Sequence, residues 1–292
     1  MHTVTVKAPA KINLALDIVG LNEKNYHLLK MLMQTVNLYD TVMLQKQPSG
    51  ITLTCDNPTI PCDERNICHR CTQAFFAYIG QPEAGVQMHI QKVIPQQAGM
   101  AGGSADGAGV LVGLNALYDA KLSLETLCAI GARIGADIPF CLVGGTAKVE
   151  GIGERITSIT ALPDCELVIA KPRTGVSTQR AFAEFDRLRI PPQLDLEAMV
   201  RAVECQDLSG VCAAMYNALE RVCGVPEVRS IRHLMTSMGA KGAMMTGSGS
   251  AVFGIFSDRG RAYECEQKLR TRYAEVFLCK PAAYGPQIVA AE

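Results

Sequence analysis

The sequence predicts an α+β protein of two domains, because strand-like and helix-like segments are mixed in both halves of the chain. The chain has 292 residues, a length that suits one large or two ordinary domains. Hydrophobic residues make up 48% of it and charged residues 19%, a composition that can fill a core. We therefore predict one domain over residues 1–160 and another over residues 161–292, with a cleft between them.

Alternating apolar residues predict a first half rich in hairpins. Residues 2–6 alternate weakly and residues 12–18 alternate cleanly, which puts Lys11 and Asn13 together on the opposite face of the second segment. A solvated strand face is the ordinary explanation of such a polar pair. Further strands are predicted around residues 42–44, 51–53 and 86–91.

A C-x-x-C pair, Cys68 and Cys71, lies in a predicted helix. Asn66 is a suitable N-cap, and an apolar stripe runs from Ile67 to Tyr78. Such a pair is also found in zinc and redox sites, but no second pair follows at zinc-finger spacing. We expect the twelve cysteines to be free thiols that pack as small hydrophobic side chains.

The most informative stretch is residues 95–109, in which four glycines fall within nine residues. It follows the strand predicted at residues 86–91 and runs into a helix predicted over residues 107–118. Small residues let a backbone approach a ligand closely, and a helix N-terminus favours an anion such as phosphate. A purely structural turn explains the same pattern. Neither the Walker P-loop motif nor Gly-x-Gly-x-x-Gly is present.

Beyond that helix, another helix is predicted to begin at Ser123, and Asp137 follows in the segment Gly-Ala-Asp-Ile-Pro-Phe. An aspartate two residues before a proline is typical of the N-cap of a short helix, with Pro139 in the first turn. The residues alone do not decide between this cap and a functional carboxylate.

The second half begins with an apolar strand predicted at residues 167–170. Helices are predicted around residues 178–188, 195–204 and 207–221, after Pro226, and over residues 259–272. Strands are predicted at residues 241–245, 251–256 and 276–278. The glycine-rich segment 246–250 joins two of these strands, and a tight turn by itself would explain its composition.

The charge balance argues against some classes of partner. Lysine plus arginine equals aspartate plus glutamate at 28 each, so no overall field attracts nucleic acid or a membrane surface. No apolar run approaches the roughly 20 residues that span a bilayer, and the first residues show no signal-peptide pattern. We expect a soluble cytoplasmic protein with a small-molecule substrate and with no nucleic-acid or membrane partner.

Residues 95–106 resemble the phosphate loop of the GHMP kinases, most closely in the branch that phosphorylates 4-diphosphocytidyl-2-C-methyl-D-erythritol. That branch usually carries Gly-Leu-Gly-Gly-Gly-Ser-Ser, from which Met100, Ala101 and Ala105 depart. Ala105 leaves Ser104 as the one hydroxyl of the motif. The resemblance implies that ATP binds to Pro95, Gln96, Gln97, Ala98, Gly99, Met100, Ala101, Gly102, Gly103, Ser104 and Ala105.

Three further segments resemble GHMP kinase motifs, in the expected order along the chain. Residues 9–14 match the opening motif, which implies an active-site role for Lys11. Residues 135–139 match the motif whose carboxylate faces the attacking hydroxyl, a role that Asp137 would inherit. Lys11 would then neutralise charge and hold Asp137. The segment 246–250 resembles the third motif, a glycine-rich loop beside the phosphate site.

The same resemblance implies a site for the cytidyl part of the substrate. Tyr26 and His27 follow the strand that carries Lys11, and an aromatic ring beside an imidazole suits a flat, polar base. Residues 176–178 and Phe182 resemble a wall contributed by the second domain. The implied substrate-binding residues are Asn13, Tyr26, His27, Thr178 and Phe182.

The resemblance implies the GHMP kinase fold, with a ribosomal-protein-like first domain and a ferredoxin-like second domain. The implied reaction moves the γ-phosphate of ATP to the 2-hydroxyl of 4-diphosphocytidyl-2-C-methyl-D-erythritol, in non-mevalonate isoprenoid synthesis. Mg²⁺ would be held mainly by ATP, with Ser104 as the candidate protein ligand. The alternatives are a GHMP kinase for mevalonate or homoserine, and a non-catalytic nucleotide sensor. A monomer and a homodimer are both compatible with the sequence.

Overall fold

The structure is a computed structural model, and it describes residues 1–188 and 190–292. The strands are β1 Thr3–Leu21, β2 His27–Gln47, β3 Gly50–Cys55, β4 Gly85–Gln91, β5 Thr146–Gly151, β6 Arg155–Ser158, β7 Glu166–Lys171, β8 Tyr216–Asn217, β9 Gly242–Met245, β10 Val252–Phe256, β11 Glu275–Cys279 and β12 Gln287–Ala291. The α-helices are α1 Ile67–Tyr78, α2 Gly102–Leu117, α3 Leu124–Ala132, α4 Ile138–Val143, α5 Thr178–Leu188, α6 Leu196–Glu204, α7 Leu208–Ala214, α8 Pro226–Ser237 and α9 Arg259–Arg270.

The first domain is built on a sheet whose central path runs β12-β1-β2-β4-β3, with β5, β6 and β8 attached beside it. The segments predicted as separate strands at residues 2–6 and 12–18 form one strand, β1. Its pairing with β2 shifts register between Pro9 and Lys11, as a bulge does, and then continues. Local alternation is interrupted at such a bulge, which is why the sequence suggested two strands.

The face of β1 that carries Lys11 and Asn13 is buried, so the solvated-face explanation is wrong. The second domain covers it. Thr246 Oγ1 accepts a hydrogen bond of 2.9 Å from the backbone N–H of Asn13. Asp17 Oδ2 accepts two more, from the backbone N–H groups of Gln193 and Leu194.

The long helix α2 packs across β1 and β2, and two glycines permit a close approach. A Cβ atom at Gly109 would lie 3.1 Å from that of Ala8, and one at Gly113 would lie 2.5 Å from Leu44 Cδ1. Because α2 is fixed against the sheet in this way, its N-terminus is also fixed relative to Lys11 on β1.

The second domain has the predicted ferredoxin-like arrangement. Its four-stranded antiparallel sheet, taken from the described residues, has the order β11-β7-β10-β9. The chain runs β7, helices, β9, β10, α9, β11, which is the β-α-β-β-α-β pattern. The strands at residues 167–170, 241–245, 251–256 and 276–278 were predicted close to these positions.

The helix predicted over residues 207–221 is wrong in its second half. α7 ends at Ala214, then β8 pairs with β1, and a 3₁₀ helix spans Ala218–Val222. Asn217 breaks the helix, because its side chain accepts a bond from Leu219 N and donates to the carbonyl of Gly247. These long-range contacts override the local helical pattern.

The C-terminal strand β12 returns to the first domain and pairs with β1. The sequence pattern did not predict this strand, whose five residues are all exposed. The first sheet is therefore completed by residues from the far end of the chain. The boundary between residues 160 and 161 stays a prediction.

The C-x-x-C pair lies in α1, whose N-cap Asn66 accepts a bond from Cys68 N as predicted. All twelve cysteines are free within the described residues, and six are buried. Burial raises the pKa of Cys71 to about 12, so this thiol stays protonated and packs as a small hydrophobic group. No helix of the described ranges is long and apolar enough to cross a bilayer.

Candidate active site

The loop between β4 and α2 carries the predicted phosphate-binding residues. Gly99 has φ +72°, and a Cβ atom there would overlap the carbonyl oxygen of Thr246, so only glycine fits. Ala101 is also left-handed, at φ +58°, and turns the chain into α2. The helix thus begins at Gly102, inside the glycine-rich stretch, and not near residue 107 as predicted.

The carbonyl oxygens of four successive loop residues, 97–100, all accept hydrogen bonds from other segments of the protein. The carbonyl of Gln97 accepts from the backbone N–H groups of Val176 and Ser250, and that of Ala98 accepts from the backbone N–H of Ala251. The carbonyl of Gly99 accepts from Lys11 Nζ and Thr246 Oγ1. The carbonyl of Met100 accepts from the backbone N–H of Lys11. In a planar trans peptide, the N–H group of each residue points away from the carbonyl oxygen of the residue before it. The N–H groups of residues 99–101 have no acceptor in the described part of the chain, so they are available to an anion.

The first turn of α2 adds further donors at the same place. The N–H groups of Gly102, Gly103 and Ser104 lack intrahelical acceptors, and the helix dipole puts its positive end there. All three residues line a cleft of about 800 Å³. The loop and the helix terminus together form a cradle that suits phosphate.

Lys11 reaches this cradle from β1. The residue is only 4% exposed, and Nζ donates to Asn13 Oδ1 at 2.6 Å and to the carbonyl of Gly99 at 2.8 Å. A lysine ammonium has three N–H donors, so one is left for a ligand. Asn13 therefore orients the lysine, and a direct contact between Asn13 and substrate stays a prediction.

Asp137 lies in the same cleft, at the N-cap position of α4. Its side chain makes no capping hydrogen bond within the described residues, so capping does not explain it. The preceding segment adjoins the cradle: a Cβ atom at Gly135 would lie 3.7 Å from Ser104 Oγ. Lys11 and Asp137 form no ion pair in the described chain, and Lys11 is held by Asn13 and Gly99 instead.

The predicted base-binding residues also line the cleft and meet across the two domains. The rings of His27 and Phe182 are 4.6 Å apart between centroids, and His27 Nε2 is 2.8 Å from Asp186 Oδ1. Tyr26 is 59% exposed. Thr178 Oγ1 lies 3.0 Å from Ser248 Oγ, so its hydroxyl contacts the glycine-rich segment 246–250.

Comparison with known proteins finds relatives that cover most of the chain. Residues 66–145 match the GHMP kinases N terminal domain, and residues 196–275 match the GHMP kinases C terminal domain. A 4-diphosphocytidyl-2-C-methyl-D-erythritol kinase of Clostridium kluyveri is 40% identical over 94% of this chain and 99% of its own length. One from Clostridium perfringens is 42% identical over 94% and 97%.

The chain belongs to the 4-diphosphocytidyl-2-C-methyl-D-erythritol kinase family of GHMP kinases. A solved 4-(cytidine 5'-diphospho)-2C-methyl-D-erythritol kinase superposes with a TM-score of 0.81 at 31% identity, covering 96% of this chain and 99% of the other. A homoserine kinase from Cytophaga hutchinsonii superposes at 0.80 with 18% identity, covering 99% and 98%, which shows the shared fold. The chain is thus a small-molecule kinase.

An ionic cluster that the sequence did not predict lies under the predicted phosphate loop of this GHMP kinase. Lys92 Nζ donates to Asp40 Oδ2 and, at 2.5 Å, to Asp106 Oδ2, and all three side chains are buried. Asp40 Oδ1 also accepts from the backbone N–H groups of Val93 and Ile94. Lys92 and Asp106 bracket the loop in sequence, so the cluster closes its base. A lysine directly after a strand and an aspartate inside the motif were the available signals.

Asp106 differs electrostatically from an ordinary carboxylate. Burial raises the pKa of its carboxyl against the attraction of Lys92. Its Oδ1 atom is buried and has no hydrogen-bond partner among the residues described. Two carboxylates thus share a single ammonium group in a low-dielectric site.

Part of the cleft lining is an apolar surface that the sequence also did not predict. Ile60, Pro61 and Ile67 form an apolar wall of the cleft beside the cradle. Ile67 Cδ1 would lie 3.4 Å from a Cβ atom at Gly103, and Gln96 Nε2 donates to Thr59 Oγ1 at 3.0 Å. These residues follow no motif in the sequence, so only the fold brings them to the GHMP kinase cleft.

Replacing Gly103 with valine should raise the KM for ATP about tenfold or more, because the side chain would occupy space in the cleft between the cradle and Ile67. The first added atom meets no described atom closer than 3.4 Å, so the fold should tolerate it. Gly224→Val is the control, since a Cβ atom there has no described neighbour within 4 Å. Steady-state kinetics with varied ATP would measure the effect. An unchanged KM in folded Gly103→Val protein would show that the loop is only a turn.

Proposed function

We propose that this chain transfers the γ-phosphate of ATP to the 2-hydroxyl of 4-diphosphocytidyl-2-C-methyl-D-erythritol, giving the 2-phosphate and ADP in non-mevalonate isoprenoid synthesis. One observation carries the proposal: the anion cradle, the free donor of Lys11 and the uncapped carboxylate of Asp137 share one cleft. The 40% identical relative is named as this kinase, which supports the choice of substrate.

The cleft also suggests how ATP would lie. Its phosphates would occupy the cradle of residues 99–104, where backbone N–H groups lack acceptors in the described structure. The adenine base would pack on the apolar wall of Ile60, Pro61 and Ile67 next to that cradle. This leaves the His27 part of the cleft for the acceptor substrate.

The chemistry suits phosphoryl transfer, which depends mainly on alignment and on stabilisation of charge spread over the phosphate oxygens. The 2-hydroxyl oxygen would attack the γ-phosphorus, and the bond to the bridging oxygen of ADP would break. Asp137 would orient the hydroxyl and accept its proton. Lys11 would stabilise the developing negative charge with its remaining N–H, while its other two bonds hold it against Asn13 and Gly99.

Mg²⁺ would accompany ATP and neutralise phosphate charge. The residues present suit an ion carried mainly by the nucleotide: the Ser104 hydroxyl lies in the cradle, and it would be the protein ligand. No group of three or more His, Cys, Asp or Glu side chains that could hold a metal occurs among the described residues.

Side-by-side kinetics would separate the proposed reaction from its alternatives. ADP release would be measured with the cytidyl substrate, with mevalonate and with homoserine. We expect turnover with the cytidyl substrate only, because a ring such as Tyr26 beside an imidazole serves a base that the other two lack. Preference for mevalonate or homoserine would contradict the substrate, and binding of ATP without turnover of any acceptor would favour a nucleotide sensor.

Replacing Tyr26 with alanine should raise the KM for the cytidyl substrate roughly 5- to 150-fold. Stacking of a base on one aromatic ring contributes about 1–3 kcal/mol, and 1.4 kcal/mol corresponds to about tenfold. The KM for ATP should not change. Tyr263→Ala is a matched control, because Tyr263 is similarly exposed and lies on α9 outside the cleft. Equal KM values in Tyr26→Ala and wild type would remove this residue from the substrate site.

We also propose a cytoplasmic location, supported by the twelve cysteines, which are free thiols in the described structure. A monomer and a homodimer both remain compatible with the cleft, since its described lining comes from a single chain. Size-exclusion chromatography with light scattering would distinguish them.

A further inference from the structure

His27 is fixed by two residues of α5, one turn apart. The ring of Phe182 packs on the imidazole at 4.6 Å between centroids, tilted by 35°. Asp186, four positions further along the helix, places Oδ1 2.8 Å from Nε2. Residues at i and i+4 share one helix face, so a single face of α5 controls both the plane of the imidazole and its rotation within that plane.

The contact with Asp186 also sets which nitrogen carries the proton. An ionised carboxylate only accepts hydrogen bonds, so Nε2 must donate to Asp186. In the neutral imidazole the other nitrogen, Nδ1, then holds a lone pair and can only accept. No hydrogen bond to Nδ1 exists in the described part of the chain, and His27 lines the cleft. The site therefore presents an acceptor to the substrate.

We propose that Asp186 is a positioning residue that makes this kinase select cytosine over uracil. The inference rests on the proposed function and deepens it. Cytosine carries an amino group, a donor, at the ring carbon where uracil carries a carbonyl oxygen, an acceptor. An acceptor at Nδ1 pairs with the amino group, whereas it faces the uracil oxygen lone pair to lone pair. The opposite tautomer, with a proton on Nδ1, would reverse this preference.

Stability alone does not account for the contact. The Asp186 side chain is 53% exposed, and exposed pairs of this kind contribute little to folding. The contact joins β2 of the first domain to α5 of the second, across 159 positions of sequence, at a residue that lines the cleft. Its consequence is therefore expected in substrate selection and not in the free energy of unfolding.

The test replaces Asp186 with alanine and compares substrates that carry cytosine or uracil. Wild type should prefer the cytosine substrate, measured as the ratio of kcat/KM for the two substrates. In Asp186→Ala this ratio should fall about fivefold, the factor that corresponds to one hydrogen bond of about 1 kcal/mol. Asp186→Glu should recover part of it. The KM for ATP should stay within twofold. Glu184→Ala is the control, because Glu184 lies on the same helix and pairs with Arg187 outside the cleft.

A spectroscopic measurement reports the tautomer independently of turnover. In protein labelled with ¹⁵N at histidine, correlation spectra should show the neutral His27 protonated at Nε2 in wild type and redistributed toward Nδ1 in Asp186→Ala. Unchanged melting temperatures would confirm that both proteins are folded. An unaltered tautomer, or unaltered base preference, in Asp186→Ala would overturn the positioning role while leaving the kinase assignment intact. Failure of wild type to use the cytosine substrate would overturn the proposed function and this inference with it.

Discussion

Asp137→Asn is expected to lower kcat by about 100-fold or more while leaving the free energy of unfolding nearly unchanged. General base catalysis usually contributes factors of 10² to 10⁴, and asparagine keeps the size of the side chain but cannot accept the proton. The stability should survive because Asp137 makes no capping bond in the described structure. Single-turnover kinetics and urea unfolding would measure the two effects.

Asp195→Asn provides the matched control. Asp195 caps α6 through a bond from Ala198 N and lies outside the cleft, so turnover should be normal there. If Asp137→Asn instead melted early and turned over normally once folded, the capping interpretation would be restored.

Lys11→Ala would probe the ammonium group that shares the cleft with this carboxylate. Groups that serve one transition state give non-additive losses, so its effect on kcat should be small when Asp137→Asn is already present. Lys11 also holds the carbonyl of Gly99 at 2.8 Å, which the sequence did not indicate. We therefore expect Lys11→Ala to raise the KM for ATP as well, measured in the same double-mutant cycle.

Lys92→Met should reduce the free energy of unfolding by about 3–5 kcal/mol. Removing one member of a buried ionic group leaves the others without a counter-charge, here the carboxylates of Asp40 and Asp106. The base of the phosphate loop would lose its closure, so the KM for ATP should rise too. Urea unfolding would measure the first effect, and a loss below 1 kcal/mol would show that the cluster is not needed for folding.

Asp106→Asn is the paired variant, because it keeps Lys92 and Asp40 as a balanced pair and should be the milder change.

The direction of the pKa shift of Asp106 determines how the stability of the protein changes with pH. Since the folded state raises the pKa of Asp106, it binds a proton more tightly than the unfolded state does. The stabilisation by this carboxyl is present below its ordinary pKa of 3.8 and is lost as pH rises through the folded value. Wild type should therefore lose stability relative to Asp106→Asn across that range.

The elements that the sequence predicted well are those with a local cause. Helix α1 begins after Asn66, whose side chain caps it, and the strand before the phosphate loop follows from simple alternation. The start of α2 was misplaced because glycines, poor helix formers in isolation, occupy its first two positions, Gly102 and Gly103. Tertiary packing overrides propensity at that point, since a Cβ atom at Gly102 would lie 3.1 Å from Ile94 Cγ2.

The sequence by itself determined the order of motifs, the residue types of the predicted phosphate loop and the candidacy of Lys11 and Asp137, since each motif consists of residues within a few positions of one another. Only the tertiary structure decided that Lys11 is buried and held by Asn13, and that β12 completes the first sheet. It also decided that Lys92 pairs with Asp40 across 52 positions and His27 with Asp186 across 159. The physical reason is that burial and charge pairing depend on distance in space, which local periodicity does not encode.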